Sequence, residues 1–146
     1  MHVPRTIRWR VNTAAPPATV FEALTTDAGR ASFWADEAVE SVADGVIRFR
    51  FGNGQLCESQ VLERVAPHTF RLTYFGGSAV TFALRPDGRG GTDVCLEEEG
   101  VAPEAWADNF AGWVSVLLNL KARVDHDVDL RNGDRTRTWE HGYVDV

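Results

Sequence analysis

Large apolar residues near the C-terminus recur at a spacing that strongly limits how this chain can fold. They follow one another at intervals of four, three, four, three and four positions, as Trp106, Phe110, Trp113, Leu117, Leu120 and Val124. Side chains at these intervals lie on one face of an α-helix. The spacing therefore predicts a long helix over residues 103–124, whose apolar stripe needs a second apolar surface to cover it.

Residues 38–98 provide such a surface, because their apolar residues alternate with polar ones. Ile47, Phe49 and Phe51, for example, are separated by arginines. This alternation is typical of strands with one buried face, and strands joined by short turns pair antiparallel with their neighbours. The pattern predicts six consecutive strands, over residues 38–42, 46–51, 55–65, 70–74, 80–84 and 92–98.

The residues before this meander predict one strand and two helices. Residues 6–11 alternate as a strand, and Pro16 and Pro17 stand where the start of a helix accepts proline. Thr26 or Asp27 can cap a second, short helix. The predicted fold class is therefore α+β, in the order strand, two helices, six strands and long helix.

At 146 residues the chain is expected to form one domain, over residues 1–126. Residues 127–146 are mostly polar but carry Trp139 and Tyr143. We interpret them as a tail that packs either on the domain or on a second subunit, in which case the protein is a homodimer.

Charge and hydropathy exclude several classes of partner. The net charge of −6 argues against a sequence-independent grip on nucleic acid, which needs clustered Lys and Arg. No apolar run reaches the length of a signal peptide or a membrane span. We therefore expect a cytoplasmic protein without membrane insertion.

The two cysteines, Cys57 and Cys95, lack the spacing of a zinc site. We interpret Asp125, His126 and Asp127 as a solvated helix end, so we expect neither a metal nor another cofactor. In a sequential meander the cysteines lie three strands apart, roughly 14 Å at about 4.8 Å per strand. A disulfide needs Cα atoms within about 7 Å, so we expect two free thiols.

Five segments carry a resemblance to a known family. They read APPATVFEALT, a lone Trp34, VLERVAPHTFRLTY, VTFALRPDGRGGTDVCL and GWVSVLLNLKARVD. In this order they resemble the START-like, or SRPBCC, superfamily. Within it, the chain is similar to bacterial proteins related to the C-terminal domain of the activator of the heat-shock-protein-ninety ATPase. The resemblance implies the helix-grip fold of the birch-pollen allergen, a curved antiparallel sheet wrapped around the C-terminal helix.

The resemblance also implies an apolar cavity between sheet and helix, of the kind that holds lipids, sterols, hormones or polyketides elsewhere in the superfamily. Aromatic rings supply apolar area for such a ligand, although the same spacing is also typical of a filled core. The candidate cavity residues are Trp34, Phe51, Tyr74, Phe82, Trp106, Phe110, Trp113 and Leu117.

Three charged residues are candidate polar groups of the same cavity: Glu58, Arg71 and Glu98. Strand alternation turns Glu98 to the face of Val94 and Leu96, toward the predicted cavity mouth. There its carboxylate could orient a ligand or act as a base. A solvated strand end is the alternative.

Three functions stay open. With no nucleophile elbow or dinucleotide motif in the sequence, we favour non-catalytic binding of a hydrophobic or aromatic, lipid- or polyketide-like small molecule. The second hypothesis is a cyclase or hydrolase that uses Glu58, Arg71, Tyr74 or Glu98 in the same cavity. The third is a protein-interaction module related to chaperone-ATPase activators.

Overall fold

The computed structural model describes residues 3–144, and its elements follow the predicted order. The helices are α1 (Pro17–Thr25), α2 (Asp27–Ala31) and α3 (Trp106–His126). The strands are β1 (Arg5–Thr13), β2 (Glu37–Ser41), β3 (Val46–Arg50), β4 (Leu56–Val65), β5 (Thr69–Thr73), β6 (Ala79–Pro86) and β7 (Thr92–Val101). Short 3₁₀ turns cover Phe75–Gly77, Pro103–Ala105 and Trp139–His141.

All seven strands form one antiparallel sheet in the order β1-β7-β6-β5-β4-β3-β2. The sequential meander is therefore confirmed, and β1 pairs with the last strand, so that Trp9 lies opposite Leu96. The sheet curves around α3, which confirms the predicted α+β helix-grip fold. The predicted long helix begins with a 3₁₀ turn at Pro103 and continues as α3 to His126.

The inner face of the sheet is a closely packed core. Alternate residues of each strand are buried on this face, and α1 and α3 cover them. The largest of these side chains are Phe49, Phe70, Leu72, Phe82, Leu84, Leu96 and Trp113. Trp113, Leu117 and Leu120 of the predicted stripe are buried, whereas Trp106, Phe110 and Val124 are only partly buried.

The N-terminal end of α3 packs over the β1 edge of the sheet. The ring centroids of Trp9 and Phe110 are 4.9 Å apart, and those of Trp106 and Phe110 are 4.7 Å apart. The Arg5 guanidinium lies 4.2 Å from the centroid of Trp106, a cation–π contact. This end of the stripe is therefore occupied by the sheet edge.

A fully buried arginine fixes α2 against β2. Arg30 donates hydrogen bonds to the backbone oxygens of Leu24 (3.2 Å) and Ala38 (3.0 and 3.1 Å), and it pairs with the Asp27 carboxylate at 2.5 Å. Burial lowers the pKa of this guanidinium, and the Asp27 charge opposes that shift. The Arg30 carbonyl accepts the Trp34 backbone N–H at 2.8 Å. This bond sets the chain direction that brings Trp34 to the sheet.

The two cysteines lie on β4 and β7, three strand positions apart, and both are free thiols as the strand order predicts.

Replacing Arg30 by methionine should lower the free energy of unfolding by about 2–4 kcal/mol, because buried carbonyls lose their donors. Urea unfolding measures this change. The matched control is Arg48→Met, since Arg48 is half exposed and its pairs with Asp44 and Glu58 lie at the surface. Its effect should stay below about 1 kcal/mol. Equal losses in the two variants would contradict the anchoring role of Arg30.

Candidate functional site

A cavity of about 440 Å³ lies beside the core, between α3 and the ends of β3 and β5. Four parts of the chain form its walls. They are a group of aromatic residues, the loop between β3 and β4, one face of α3, and the segment that follows α3. We call residues 127–144 the C-terminal segment.

The aromatic wall consists of five rings: Trp34, Phe51, Tyr74, Phe75 and Trp113. The Tyr74 ring centroid lies 4.9 Å from those of Phe75 and Trp113. Phe51 and Phe75 are 5.6 Å apart, and Trp34 and Trp113 are 5.9 Å apart. These centroid separations are ordinary for tilted aromatic pairs. The rings therefore pack against one another, and the rest of their surface borders the cavity.

Hydrogen bonds hold the two central rings of this wall. The Trp34 indole N–H donates to the Tyr74 hydroxyl oxygen at 3.2 Å. Burial raises the pKa of the Tyr74 phenol well above its ordinary value. Tyr74 therefore stays neutral at physiological pH, with its hydroxyl proton in place.

The Trp113 indole N–H donates to Glu98, at 2.8 Å. Glu98 is fully buried, and it also accepts bonds from Ser78 (2.5 Å) and from the Asn109 amide (3.1 Å). The sequence places Glu98 on the inner face, as observed, but the structure seals it behind Trp113 instead of at a cavity mouth. Its carboxylate holds Trp113 and Asn109 in position and does not line the cavity.

One face of α3 forms the second wall. Its residues are offset from the buried stripe and lie on the adjacent face of the helix. They are Ala105, the last residue of the 3₁₀ turn, and Asp108, Asn109, Gly112, Ser115, Val116 and Asn119 of α3. At 1.5 Å rise per residue this wall is about 20 Å long. At its centre a Cβ added to Gly112 would be 3.8 Å from the nearest atom of Trp139, so the glycine widens the cavity.

The C-terminal segment forms the third wall, with Arg131, Trp139 and Glu140. Arg131 donates to the backbone oxygens of Ala35 (2.9 Å) and Ala31 (2.7 Å) and pairs with Asp129. The Asn53 amide of the β3–β4 loop donates to Glu140 at 3.4 Å. Farther along, the Ser115 hydroxyl donates to the Val144 carbonyl at 3.0 Å. The segment thus runs back along α3 and closes the side of the cavity away from the sheet.

Four of the eight predicted cavity residues border this space: Trp34, Phe51, Tyr74 and Trp113. The other four lie elsewhere. Phe82 and Leu117 fill the core, Phe110 packs on Trp9 of β1, and Trp106 packs on Phe110.

Neither Glu58 nor Arg71 lies among the cavity residues, which corrects their prediction as cavity groups. Strand alternation places both on the outer face, since their neighbours Cys57 and Phe70 are buried on the inner one. Glu58 is exposed and pairs with Arg48 at 3.5 Å. Arg71 is half-buried and lies opposite Glu63 in the register.

Sequence reasoning missed the polar lining residues. Asn109, Gly112, Val116 and Asn119 recur at intervals of three and four, so a search for a second, mixed helix face would have found them. Arg131 and Trp139 carry no such local signal, because their position depends on how the C-terminal segment returns to α3.

Within residues 3–144, no group of three or more His, Cys, Asp and Glu side chains is arranged to hold a metal ion. No helix in the same stretch is long and apolar enough to cross a membrane.

The sheet wrapped around a C-terminal helix, with a cavity at their junction, defines a helix-grip protein. Residues 14–125 match the family model described as Activator of Hsp90 ATPase homolog 1-like protein, and the chain belongs to this family. No curated protein matches the chain at a significant level. The family match ends at residue 125, so the C-terminal segment lies outside it.

Solved structures share the fold at low sequence identity. The solution structure of the Aha1 dimer from Colwellia psychrerythraea is 24% identical, with 84% of this chain and 97% of that chain covered and a TM-score of 0.75. CalU16 from Micromonospora echinospora is 21% identical, with coverage of 85% and 78% and a TM-score of 0.69. DynU16, from the dynemicin biosynthetic locus, is 21% identical, with coverage of 85% and 48% and a TM-score of 0.69.

Replacing Glu98 by leucine should lower the free energy of unfolding by about 1–3 kcal/mol, because the buried Trp113 and Asn109 donors lose their acceptor. The near-ultraviolet circular dichroism should weaken as well, since Trp113 is no longer held. Glu99→Leu is the control, because Glu99 is the exposed neighbour on the same strand. Unchanged stability and spectrum in Glu98→Leu would show that Glu98 does not position Trp113.

Proposed function

We propose that the protein binds an apolar small molecule with aromatic character in this cavity and does not transform it. The cavity of about 440 Å³, with five aromatic rings in its walls, carries the proposal. Small-molecule sites generally span roughly 300–1,000 Å³ and are lined by apolar and aromatic side chains with a few polar groups. Both the size and the lining of this cavity fit that description.

Three of the four groups on which the cyclase or hydrolase alternative relies, Glu58, Arg71 and Glu98, do not line the cavity, and this favours binding. The fourth, Tyr74, lines it together with the carboxylates of Asp108 and Glu140. That alternative needs acid–base groups that reach a bound molecule. Glu58 and Arg71 lie on the outer face, and the oxygens of Glu98 are taken up by Ser78, Asn109 and Trp113. The charge of Arg131 is paired with Asp129.

Two structural relatives add context to the proposal. DynU16 comes from the dynemicin biosynthetic locus, so the fold occurs in the biosynthesis of a small molecule. This context supports a small-molecule ligand for the present chain. The Colwellia structure is of a dimer, and on this ground we also propose that this chain forms a homodimer. We further propose that residues 1–126 form the domain and that the C-terminal segment completes its cavity.

A titration followed by tryptophan fluorescence and native mass spectrometry tests the proposal. Trp34, Trp113 and Trp139 border the cavity, so a bound ligand should change their emission. The probes are naphthalenes, larger fused-ring aromatics and medium-chain fatty acids. We expect the fused-ring compounds to bind at one molecule per chain. A wild-type protein that binds no member of this panel would contradict the proposed function.

Filling the cavity provides a matched variant. Gly112→Leu places a side chain in the open space beside Trp139 and should weaken binding at least roughly tenfold, a change of about 1.4 kcal/mol. Leucine is the better helix former by nearly 1 kcal/mol, so the fold should be retained. Ala111→Leu is the control, because Ala111 is the exposed neighbour of Gly112. Wild-type affinity in Gly112→Leu would place the bound molecule outside this cavity.

A further inference from the structure

One polar side chain in the cavity wall has no hydrogen-bond partner among the described residues 3–144. Asn119 is only 9% exposed, yet its side-chain amide makes no hydrogen bond within residues 3–144. Asn119 borders the cavity, and no side-chain polar atom of this part of the chain is both sealed from solvent and unbonded. The amide therefore faces the open space, where only the contents of the cavity can satisfy it.

The Asn119 amide is free to bond a molecule in the cavity. An asparagine side chain offers two N–H donors and an acceptor oxygen, and none of them is used within residues 3–144. A few polar groups set among apolar and aromatic side chains are the usual means of orienting a ligand.

Tyr74 also lines the cavity, and its hydroxyl is a second group with an unused donor. Its hydroxyl oxygen accepts the Trp34 indole N–H, and its own proton has no acceptor within residues 3–144. Because this phenol stays neutral at physiological pH, it remains a donor there. The cavity therefore presents hydrogen-bonding groups on both its helix side and its sheet side.

The charges around the cavity disfavour an anionic ligand. The Arg131 guanidinium bonds both Asp129 oxygens and two backbone carbonyls. The other charged lining residues, Asp108 and Glu140, are acidic. A ligand carboxylate would meet repulsion without a free cation to pair with, whereas an uncharged oxygen would pair with amide and hydroxyl groups at no such cost.

On the basis of the binding function above, we propose that the cavity selects aromatic molecules that carry an uncharged oxygen, hydroxyl or carbonyl, and that this oxygen pairs with the side-chain amide of Asn119. Asn119 is a ligand-recognition residue in this assignment, and Tyr74 is a second donor to the same ligand.

Two probes of matched shape test the selection. The two probes are 2-naphthol, which is uncharged at neutral pH, and 2-methylnaphthalene, which has a methyl group in place of the hydroxyl. The methyl compound is the more hydrophobic. Calorimetric titration of the full chain should show 2-naphthol binding roughly tenfold more tightly, as one added hydrogen bond would provide. The charged analogue 2-naphthoate should bind more weakly than 2-naphthol.

The variant Asn119→Leu should reverse this order, so that 2-methylnaphthalene binds more tightly than 2-naphthol. The control is Leu118→Ala, at the exposed neighbour of Asn119, which does not line the cavity. It should keep the wild-type order. The melting temperature of ligand-free Asn119→Leu should stay close to that of the wild type, because the substitution breaks no hydrogen bond within residues 3–144.

The outcomes separate this proposal from the proposed function. If wild type binds the methyl compound as tightly as 2-naphthol, or if Asn119→Leu keeps the wild-type order, selection by Asn119 is overturned while ligand binding stands. A lower melting temperature of Asn119→Leu with the wild-type order retained would make Asn119 a structural residue. If no aromatic probe of the wider panel binds, the proposed function itself fails.

Discussion

The packing of Trp113 is the interaction on which both the fold and the cavity depend. Its ring meets Phe82 on the core side and Tyr74 and Trp34 on the cavity side. Its indole N–H is held by a buried carboxylate on β7. Because one side chain belongs to both environments, the docking of α3 on the sheet also determines the floor of the cavity. A shift of the helix would change the core and the binding space together.

A filled core and an open cavity, which the sequence leaves as alternatives, both occur in this molecule. The apolar stripe of α3 packs closely against the sheet, as Leu117 and Phe82 show. The open space lies beside the stripe, where the helix turns a mixed face toward Phe51 and Phe75. The two apolar surfaces meet tightly, and the cavity lies beside them, between the mixed face of α3 and the ends of β3 and β5.

The sequence predicts the fold well because two clear periodicities lie in separate stretches of the chain. Strand bounds agree within a few residues, and the order of the strands follows from short turns. The cavity is harder to predict, since an amphipathic pattern identifies residues that need burial without showing which of them border a space. The cavity face of α3 contains both apolar and polar residues, such as Gly112, Val116 and Asn119. A search for a hydrophobic pattern alone therefore does not identify this face. Arg131 and Trp139 depend on a return of the chain that no local pattern specifies.

The C-terminal segment lies outside the family match and yet forms one wall of the cavity. The framework of sheet and helices and one wall of the cavity therefore lie in different stretches of the polypeptide. An exchange of the C-terminal segment would change that wall while the framework is kept.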